Sequence, residues 1–313
     1  MTIVCDKYIP YLYETVQKGW PDVHIYPMKP EEIDSSAVKN ADVLVIRTRT
    51  KVNENLLRGS NVKLVCTATI GYDHIDTAYC ESHGIKWMSC PGCNAQAVCD
   101  YIEEALKEVH ASGTIGIVGV GHVGSLVAKM AERRGFKVLL NDPPKKIGVS
   151  LDFIAQNCDI ITFHTPLTKN GPYPTFHLCD EAFLSKCKPN TLIINAARGG
   201  IVDEQALLHN GHPYILDTWE NEPYINAEVL NHAVLASMHI AGYSIEGKKN
   251  ATQACLDAIS KEFCLPILKC ENFLVPLQPI SGDSAPGWLA RVSEQLKAAP
   301  DNFEQLRKQY KLR

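Results

Sequence analysis

The stretch Thr114-Ile-Gly-Ile-Val-Gly-Val-Gly-His-Val-Gly124 decides how the rest of the chain is read. Its first half, Ile115 to Val118, is a short apolar run that leads straight into Gly119-x-Gly121-x-x-Gly124. Ser125-Leu-Val-Ala-Lys-Met-Ala-Glu-Arg-Arg134 follows with helical periodicity. Strand, tight turn and helix in that order make a site for a dinucleotide. The first glycine allows the turn, the second lets backbone approach a pyrophosphate, and the third lets helix pack on strand. The helix N-terminus attracts the negative charge. A second strand, Lys137-Val-Leu-Leu-Asn141, ends in Asp142, 18 residues past Gly124. A carboxylate at a spacing of about 20 suits the ribose hydroxyls of NAD. The competing reading is an ordinary strand-turn-helix whose glycines serve packing alone.

Outward from this turn, both flanks alternate strand and helix patterns. Upstream, strands read at Thr2–Cys5, Val23–Tyr26, Val43–Arg47, Val62–Ala68 and Ile85–Met88, with helices or turns between them. Downstream they fit Ile160–Phe163, Leu192–Asn195, Tyr214–Leu216 and Val234–Ala236, which with the first two makes a six-strand set. Alternation of this kind implies parallel sheets with helices on both faces. Ser244–Phe263 then reads as a long helix. If it packs on the N-terminal strands, the doubly wound (Rossmann) cofactor domain is an insertion in a second, flavodoxin-like α/β substrate domain. The expected division is 1–93 and 243–268 for the substrate domain, 94–242 for the cofactor domain, and 269–313 as a C-terminal arm that meets a partner subunit or frays. A cleft with hinges near 94–110 and 240–250 follows from that plan.

Composition narrows the partners. A chain of 313 residues has room for two cores. A net charge of −4 argues against a nucleic-acid partner, which wants a basic face. No apolar run approaches the length of a membrane span. The opening Met-Thr-Ile-Val-Cys-Asp is a strand pattern rather than a signal, so reduced, partly buried thiols and a cytoplasmic setting are expected for the 12 cysteines. Cys90-Pro-Gly-Cys93 spells half of a redox or zinc site, but no second pair joins it. A domain-crossing loop that starts a helix is the plainer reading, and no metal site is expected.

Three later places carry groups suited to chemistry. Arg198, in Asn195-Ala-Ala-Arg198-Gly-Gly200 at a strand end, offers a planar fork to a carboxylate. Glu222 lies in Asp217-Thr-Trp-Glu-Asn-Glu222-Pro223, and His239 in Ser237-Met-His239-Ile-Ala-Gly242-Tyr243. Oxidising an alcohol beside a nicotinamide needs a base for the hydroxyl proton. A histidine oriented by a carboxylate supplies one. Each of these residues alone is ordinary, and their order behind the glycine turn is what singles them out. In the N-terminal half, Arg49 beside Thr48 is either a second cation for an anionic substrate or a solvated loop arginine.

The order GxGxxG, Asp, Arg-Gly, Glu-Pro, His resembles the D-2-hydroxyacid dehydrogenases. The runs Thr50-Lys-Val-Asn-Glu54, Pro91-Gly-Cys-Asn-Ala95, Asn141-Asp-Pro-Pro144, Phe163-His-Thr-Pro-Leu167, Asn170-Gly-Pro-Tyr173 and His239 to Lys248 resemble a branch acting on a small phosphorylated 2-hydroxy acid. The resemblance implies that Arg198 binds the substrate carboxylate, Glu222 supports the histidine and His239 is the acid/base. It implies NAD as cofactor, with Asp142 on the adenine ribose, and Thr165, Asp217 and Gly242 as further contacts. His122 and Val123 fall in the turn that faces the pyrophosphate. Thr48, Thr69 and Tyr243 match substrate-contacting positions. A homodimer is also implied, although the link Val109–Gly113 and the C-terminal region are shorter than in the branch at large. Two other readings stay open: a 2-oxoacid reductase with another substrate, and an NAD-sensing binding protein without catalysis.

Overall fold

The computed structural model describes residues 1–270 and 287–310. These fall into two compact units, one made of 1–94 with 244–270, the other of 95–243 with 287–310. The middle stretch 271–286 of the expected C-terminal arm lies outside the described residues.

The first unit is built on five strands: β1 Thr2–Asp6, β2 His24–Met28, β3 Val43–Ile46, β4 Leu64–Thr67 and β5 Lys86–Met88. All pairings are parallel, in the order β2-β1-β3-β4-β5, which is the flavodoxin-like order. The central strands β3 and β4 are buried on both faces, so their sequences are continuous apolar runs rather than alternating ones. The helix Ile245–Phe263 returns to this unit from the far end of the chain. Its Ala251, Cys255, Leu256 and Ile259 join Ile3, Cys5, Val43, Val45 and Cys66 in one core. A fully buried Leu or Ile contributes about 1.5–3 kcal/mol, enough for this face to hold the helix on the sheet. Ser244 caps it, its Oγ accepting from the Gly247 amide at 2.9 Å.

Cys90 belongs to this packing rather than to a redox or metal pair. The residue is 2% exposed, and its Sγ lies 3.3 Å from the Thr67 carbonyl oxygen, 3.4 Å from that of Ala251 and 3.9 Å from Cys255 Sγ. Its partnership with Cys255 and its burial push the Cys90 thiol well up, and burial pushes Cys93 up to about 12. Both thiols are therefore poor nucleophiles at neutral pH.

The second unit carries β6 Thr114–Val118, β7 Lys137–Asp142, β8 Ile147–Gly148, β9 Ile160–Phe163, β10 Leu192–Asn195, β11 Tyr214–Leu216 and β12 Leu235–Ala236. Their order is β12-β11-β10-β9-β6-β7-β8, parallel except for the short β8. The sheet is thus seven-stranded, one more than the sequence pattern shows. A two-residue edge strand ending in Gly148 has no periodicity to read. Strand order reverses between β6 and β9, the switch point where ligands bind in such sheets.

The C-terminal residues 287–310 fold onto this second unit of the same chain. Helices Trp288–Ala298 and Phe303–Gln309 bury Trp288, Leu289, Val292, Leu296 and Phe303 in its core. Ser293 Oγ accepts from the Ala236 amide at 3.0 Å, and Glu108 accepts from the amides of Leu289 and Ala290. Among the described residues no helix is long and apolar enough to cross a membrane.

Candidate active site

The glycine turn sits at the switch point. Gly119 takes φ +90°, and a Cβ there would lie 2.8 Å from the His164 carbonyl and 2.9 Å from Thr165 Cγ2. A Cβ on Gly124 would fall 2.0 Å from the Gly119 oxygen, so the helix His122–Arg133 starts against the turn itself. Gly121 has open space around it, the condition for a phosphate to reach its backbone. No side chain caps that helix, and its first amides are left for an anion. His122 is exposed beside the turn and Val123 is half-buried against the core.

Asp142 ends β7 at 8% exposure. Its Oδ2 accepts from the Val120 amide at 2.8 Å, across the glycine turn. Lys145 donates its Nζ to the Val120 carbonyl at 2.7 Å and lies 3.7 Å from Asp142. Thr165 Oγ1, beside Gly119, is buried without a hydrogen-bond partner among the described residues. A buried hydroxyl with no partner is costly unless something else meets it. Open glycine, uncapped amides, a ribose-distance carboxylate and this hydroxyl together fit a bound dinucleotide.

The second group of predicted residues gathers at the C-terminal ends of β10, β11 and β12. His239 Nδ1 is 2.8 Å from Glu222 Oε2, and Glu222 Oε1 accepts from the Trp219 amide at 2.9 Å. Burial pushes the Glu222 carboxyl up. The His239 hydrogen bond and charge, the Trp219 amide and the charge of Arg307 outweigh it and hold the group below its usual range. His239 has φ +58°, a left-handed conformation that an ordinary residue adopts only under constraint.

Asp217 supplies the constraint. At 1% exposure its Oδ1 accepts from Ser237 Oγ and the Ile240 amide, and its Oδ2 from the Ala241 amide. The 237–241 loop is therefore pinned on both sides of His239. Gly242 and Tyr243 complete the turn, with the Tyr243 amide bonded to the Ile240 carbonyl. Asn195 shapes the neighbouring loop, donating to the Arg198 carbonyl and accepting from the Ala197 amide. Arg198 is half-buried there, its Nη1 on the Ala197 carbonyl at 2.8 Å. A Cβ on Gly199 would fall 1.8 Å from the Trp219 carbonyl oxygen, so the loops of Arg198 and Glu222 touch backbone to backbone.

Alongside lies a histidine–carboxylate set that sequence reading missed. His177 Nε2 is 2.9 Å from Glu220 and its Nδ1 3.5 Å from Asp203. One ligand-type atom of each lies within 4.8 Å of the others, yet both ring nitrogens already face a carboxylate. It reads as a hydrogen-bonded histidine–carboxylate set. Burial pushes adjacent Glu204 up to about 7, reinforced by the charges of Glu220, Glu222 and Asp203 against one backbone hydrogen bond.

In the first unit, Thr69 Oγ1 shares a 2.6 Å hydrogen bond with Thr67 and donates to the Gly71 carbonyl. Thr48 and Arg49 are exposed after β3. Arg47, not Arg49, is the ordered cation, forked on Asp6 at 2.8 and 3.3 Å and lying over the Tyr8 ring. Burial and then the charge of Arg47 push Lys248 down.

With this geometry in view, the comparisons are decisive. Residues 98–241 match the family described as D-isomer specific 2-hydroxyacid dehydrogenase, NAD binding domain. The erythronate-4-phosphate dehydrogenase of Bacteroides fragilis is 40% identical over 341 residues, covering 100% of this chain and 97% of the relative. That of Bacteroides thetaiotaomicron is 42% identical over 338 residues, with the same coverage. The chain belongs to the D-2-hydroxyacid dehydrogenases, in the branch of the erythronate-4-phosphate dehydrogenases. Among solved structures, the NAD+-bound 3-phosphoglycerate dehydrogenase of Entamoeba histolytica is similar in fold, with a TM-score of 0.70 at 25% identity, covering 88% of this chain and 98% of that one. As a member of the family the chain is an oxidoreductase that uses NAD.

Proposed function

We propose that the chain oxidises 4-phospho-D-erythronate at C2 to 3-hydroxy-2-oxo-4-phosphooxybutanoate. The observation that carries this reading is the hydrogen-bonded Glu222–His239 pair in a chain about 40% identical, end to end, to enzymes named for that substrate. The resemblance places the step in the formation of pyridoxal 5'-phosphate. Neither a reductase of another 2-oxoacid nor a sensor is favoured by such relatives.

The roles rest on the resemblance, and the hydrogen-bonded Glu222–His239 pair supports them. Bound NAD supplies the hydride acceptor. His239 holds its Nδ1 proton toward Glu222, which leaves Nε2 to take the C2 hydroxyl proton. Glu222 stabilises the imidazolium that results. Arg198 holds the substrate carboxylate and so orients C2. Asp142 receives the ribose hydroxyls, and its charge disfavours a 2'-phosphate there. Gly119, Gly121, His122, Val123 and Gly124 present backbone to the pyrophosphate, with Thr165, Asp217 and Gly242 as the further cofactor contacts. Thr48, Thr69 and Tyr243 contact the substrate. Arg47 and Lys248 supply the positive charge that a phosphoryl group needs. A homodimer belongs to the same reading and rests on the resemblance alone.

The test is NADH formation with 4-phospho-D-erythronate against 3-phosphoglycerate, D-lactate and glycerate. The expected result is a preference for 4-phospho-D-erythronate. Equal use of a dephosphorylated substrate would move the chain to another branch.

A further inference from the structure

The helix Ala95–Glu108 opens the second unit, and Tyr101 sits midway along it, fully buried. The apolar face of the helix accounts for the ring but not for the hydroxyl, which needs a partner once it leaves water. That partner is Ser237, 136 residues away, with the two hydroxyl oxygens 2.8 Å apart. Ser237 is 0% exposed and Asp217 1%, and Ser237 Oγ lies 2.6 Å from Asp217 Oδ1. Chemistry fixes the direction of both bonds. A carboxylate only accepts, so the single hydroxyl proton of Ser237 goes to Asp217, and the Tyr101 hydroxyl donates to Ser237. The Trp288 ring packs edge-on against the Tyr101 ring, 6.1 Å between centroids, and Ser293 of the same helix holds the Ala236 amide.

We infer that Tyr101 is a positioning residue for His239, the first link of a buried relay, Tyr101 to Ser237 to Asp217, that fixes the loop carrying the histidine. The inference rests on the dehydrogenase reading of the Glu222–His239 pair. Asp217 is where the relay meets the loop. Its Oδ1 also accepts from the Ile240 amide at 2.7 Å, its Oδ2 from the Ala241 amide at 2.9 Å, and its carbonyl oxygen from the His239 amide at 2.8 Å. Residues on both flanks of His239 are thereby tied to one residue. The Ser237 carbonyl accepts from Trp219 Nε1 at 2.8 Å, and the Trp219 amide donates to Glu222 at 2.9 Å. The relay therefore reaches both members of the pair.

Its use follows from what it holds in place. His239 keeps a left-handed backbone, φ +58°, which persists only where the surroundings impose it. The ring must stay in reach of both Glu222 and the substrate hydroxyl, and a misplacement of about 1 Å costs up to about 100-fold in rate. Past His239, backbone amides make the bonds to Asp217. Before it, Ser237 reaches Asp217 through its hydroxyl. A hydroxyl that accepts a hydrogen bond becomes a stronger donor, so the Tyr101 proton tightens the Ser237–Asp217 bond. Removing the Tyr101 hydroxyl leaves the ring and its packing in place and loosens that flank alone.

The test compares the wild type, Y101F, S237A and the double variant in the whole chain, by kinetics with 4-phospho-D-erythronate and by backbone hydrogen exchange. Binding of NADH serves as the check on folding. In Y101F kcat is expected to fall about tenfold, the worth of one buried hydrogen bond, while KM and NADH affinity stay within about twofold. S237A falls at least as far, and the double variant is no slower than S237A, because the relay runs through Ser237. The amides of His239, Ile240 and Ala241 exchange about tenfold faster in Y101F, and those of the glycine turn do not. A kcat for Y101F within about twofold of the wild type, losses that multiply in the double variant, or exchange quickened equally throughout the second unit overturns the inference. Should Y101F fail to bind NADH, S237A carries both measurements with the same expected results. If the wild type leaves 4-phospho-D-erythronate untouched, the substrate reading fails, while exchange at the three amides still decides the part played by Tyr101.

Discussion

The glycine turn and the Glu222–His239 site lie at neighbouring strand ends of one sheet but are made in opposite ways. The turn is backbone chemistry within six consecutive residues, and glycines matter there because a Cβ has nowhere to go. The second site is side-chain chemistry assembled from separate segments: Arg198, the 217–222 loop and the 237–243 loop. Local sequence can announce the first. The second exists only after β10, β11, β12 and the C-terminal helices have been laid side by side. It follows that changes in the turn strike folding and cofactor together, whereas changes at Arg198, Glu222 and His239 strike turnover and leave the cofactor in place.

The largest effect to break this contrast is Gly124→Ala. Its Cβ would meet the Gly119 oxygen at 2.0 Å, and the backbone on both sides must move. Overpacking of this kind costs about 1–3 kcal/mol, and NADH affinity is expected to fall by about 100-fold or more with it. Isothermal titration with NADH and a thermal melt check both. Arg198→Ala is the counterpart in the second site. It is expected to raise KM for the substrate by about 100-fold while NADH affinity changes little, as loss of a charge-assisted bond implies. Collapse of cofactor binding instead would remove the carboxylate role given to Arg198.

Gly199→Ala sharpens the comparison, because it places a backbone-type clash inside the side-chain site. The added Cβ meets the Trp219 carbonyl at 1.8 Å and pushes the loops of Arg198 and Glu222 apart. We expect kcat/KM to fall by about 10- to 100-fold with NADH affinity nearly kept, since misplacement of about 1 Å costs on that scale. Asp142→Ala returns to the turn with a smaller effect. Discrimination against NADP is expected to relax by about tenfold, read from the ratio of kcat/KM for the two cofactors. Unchanged discrimination would remove Asp142 from that role.

The smallest effect is on stability. Burial raises the Glu204 carboxyl to about 7, so its neutral form is the favoured one in the fold. That contribution is complete below the usual carboxylate range and is lost as pH rises through about 7. Glu204→Gln keeps an oxygen for the Glu220 amide but cannot ionise. Between about pH 5 and pH 8 the wild type should lose roughly 2 kcal/mol relative to this variant, measured by urea unfolding.

The same contrast explains what was legible in the sequence. The turn, its flanking strands and the spacing to Asp142 are local, and the parallel strand order follows from the alternation they begin. Glu222 and His239 were legible as types in an ordered set, because a histidine and a carboxylate are named by their chemistry. The grip of Asp217 on Ile240 and Ala241 was not, since those partners are backbone amides over 20 residues away. The fork of Arg47 on Asp6 is equally hidden, and attention fell on the exposed Arg49 instead. Residues 288–309 read as an arm because prolines precede them. Their apolar stripe of Trp288, Leu289, Val292, Leu296 and Phe303 finds its place only against β12 and the helix Ala95–Glu108.

The central claim is that the glycine turn carries cofactor binding while Glu222 and His239 carry proton transfer. His239→Ala with 4-phospho-D-erythronate tests it most directly, in a single-turnover measurement at saturating NAD with NADH affinity measured on the same sample. The account predicts that NADH formation slows by about a thousandfold, within the range general-base loss produces, while NADH affinity stays within about threefold. Near-normal turnover, or a loss of NADH affinity as large as the loss of rate, would contradict it.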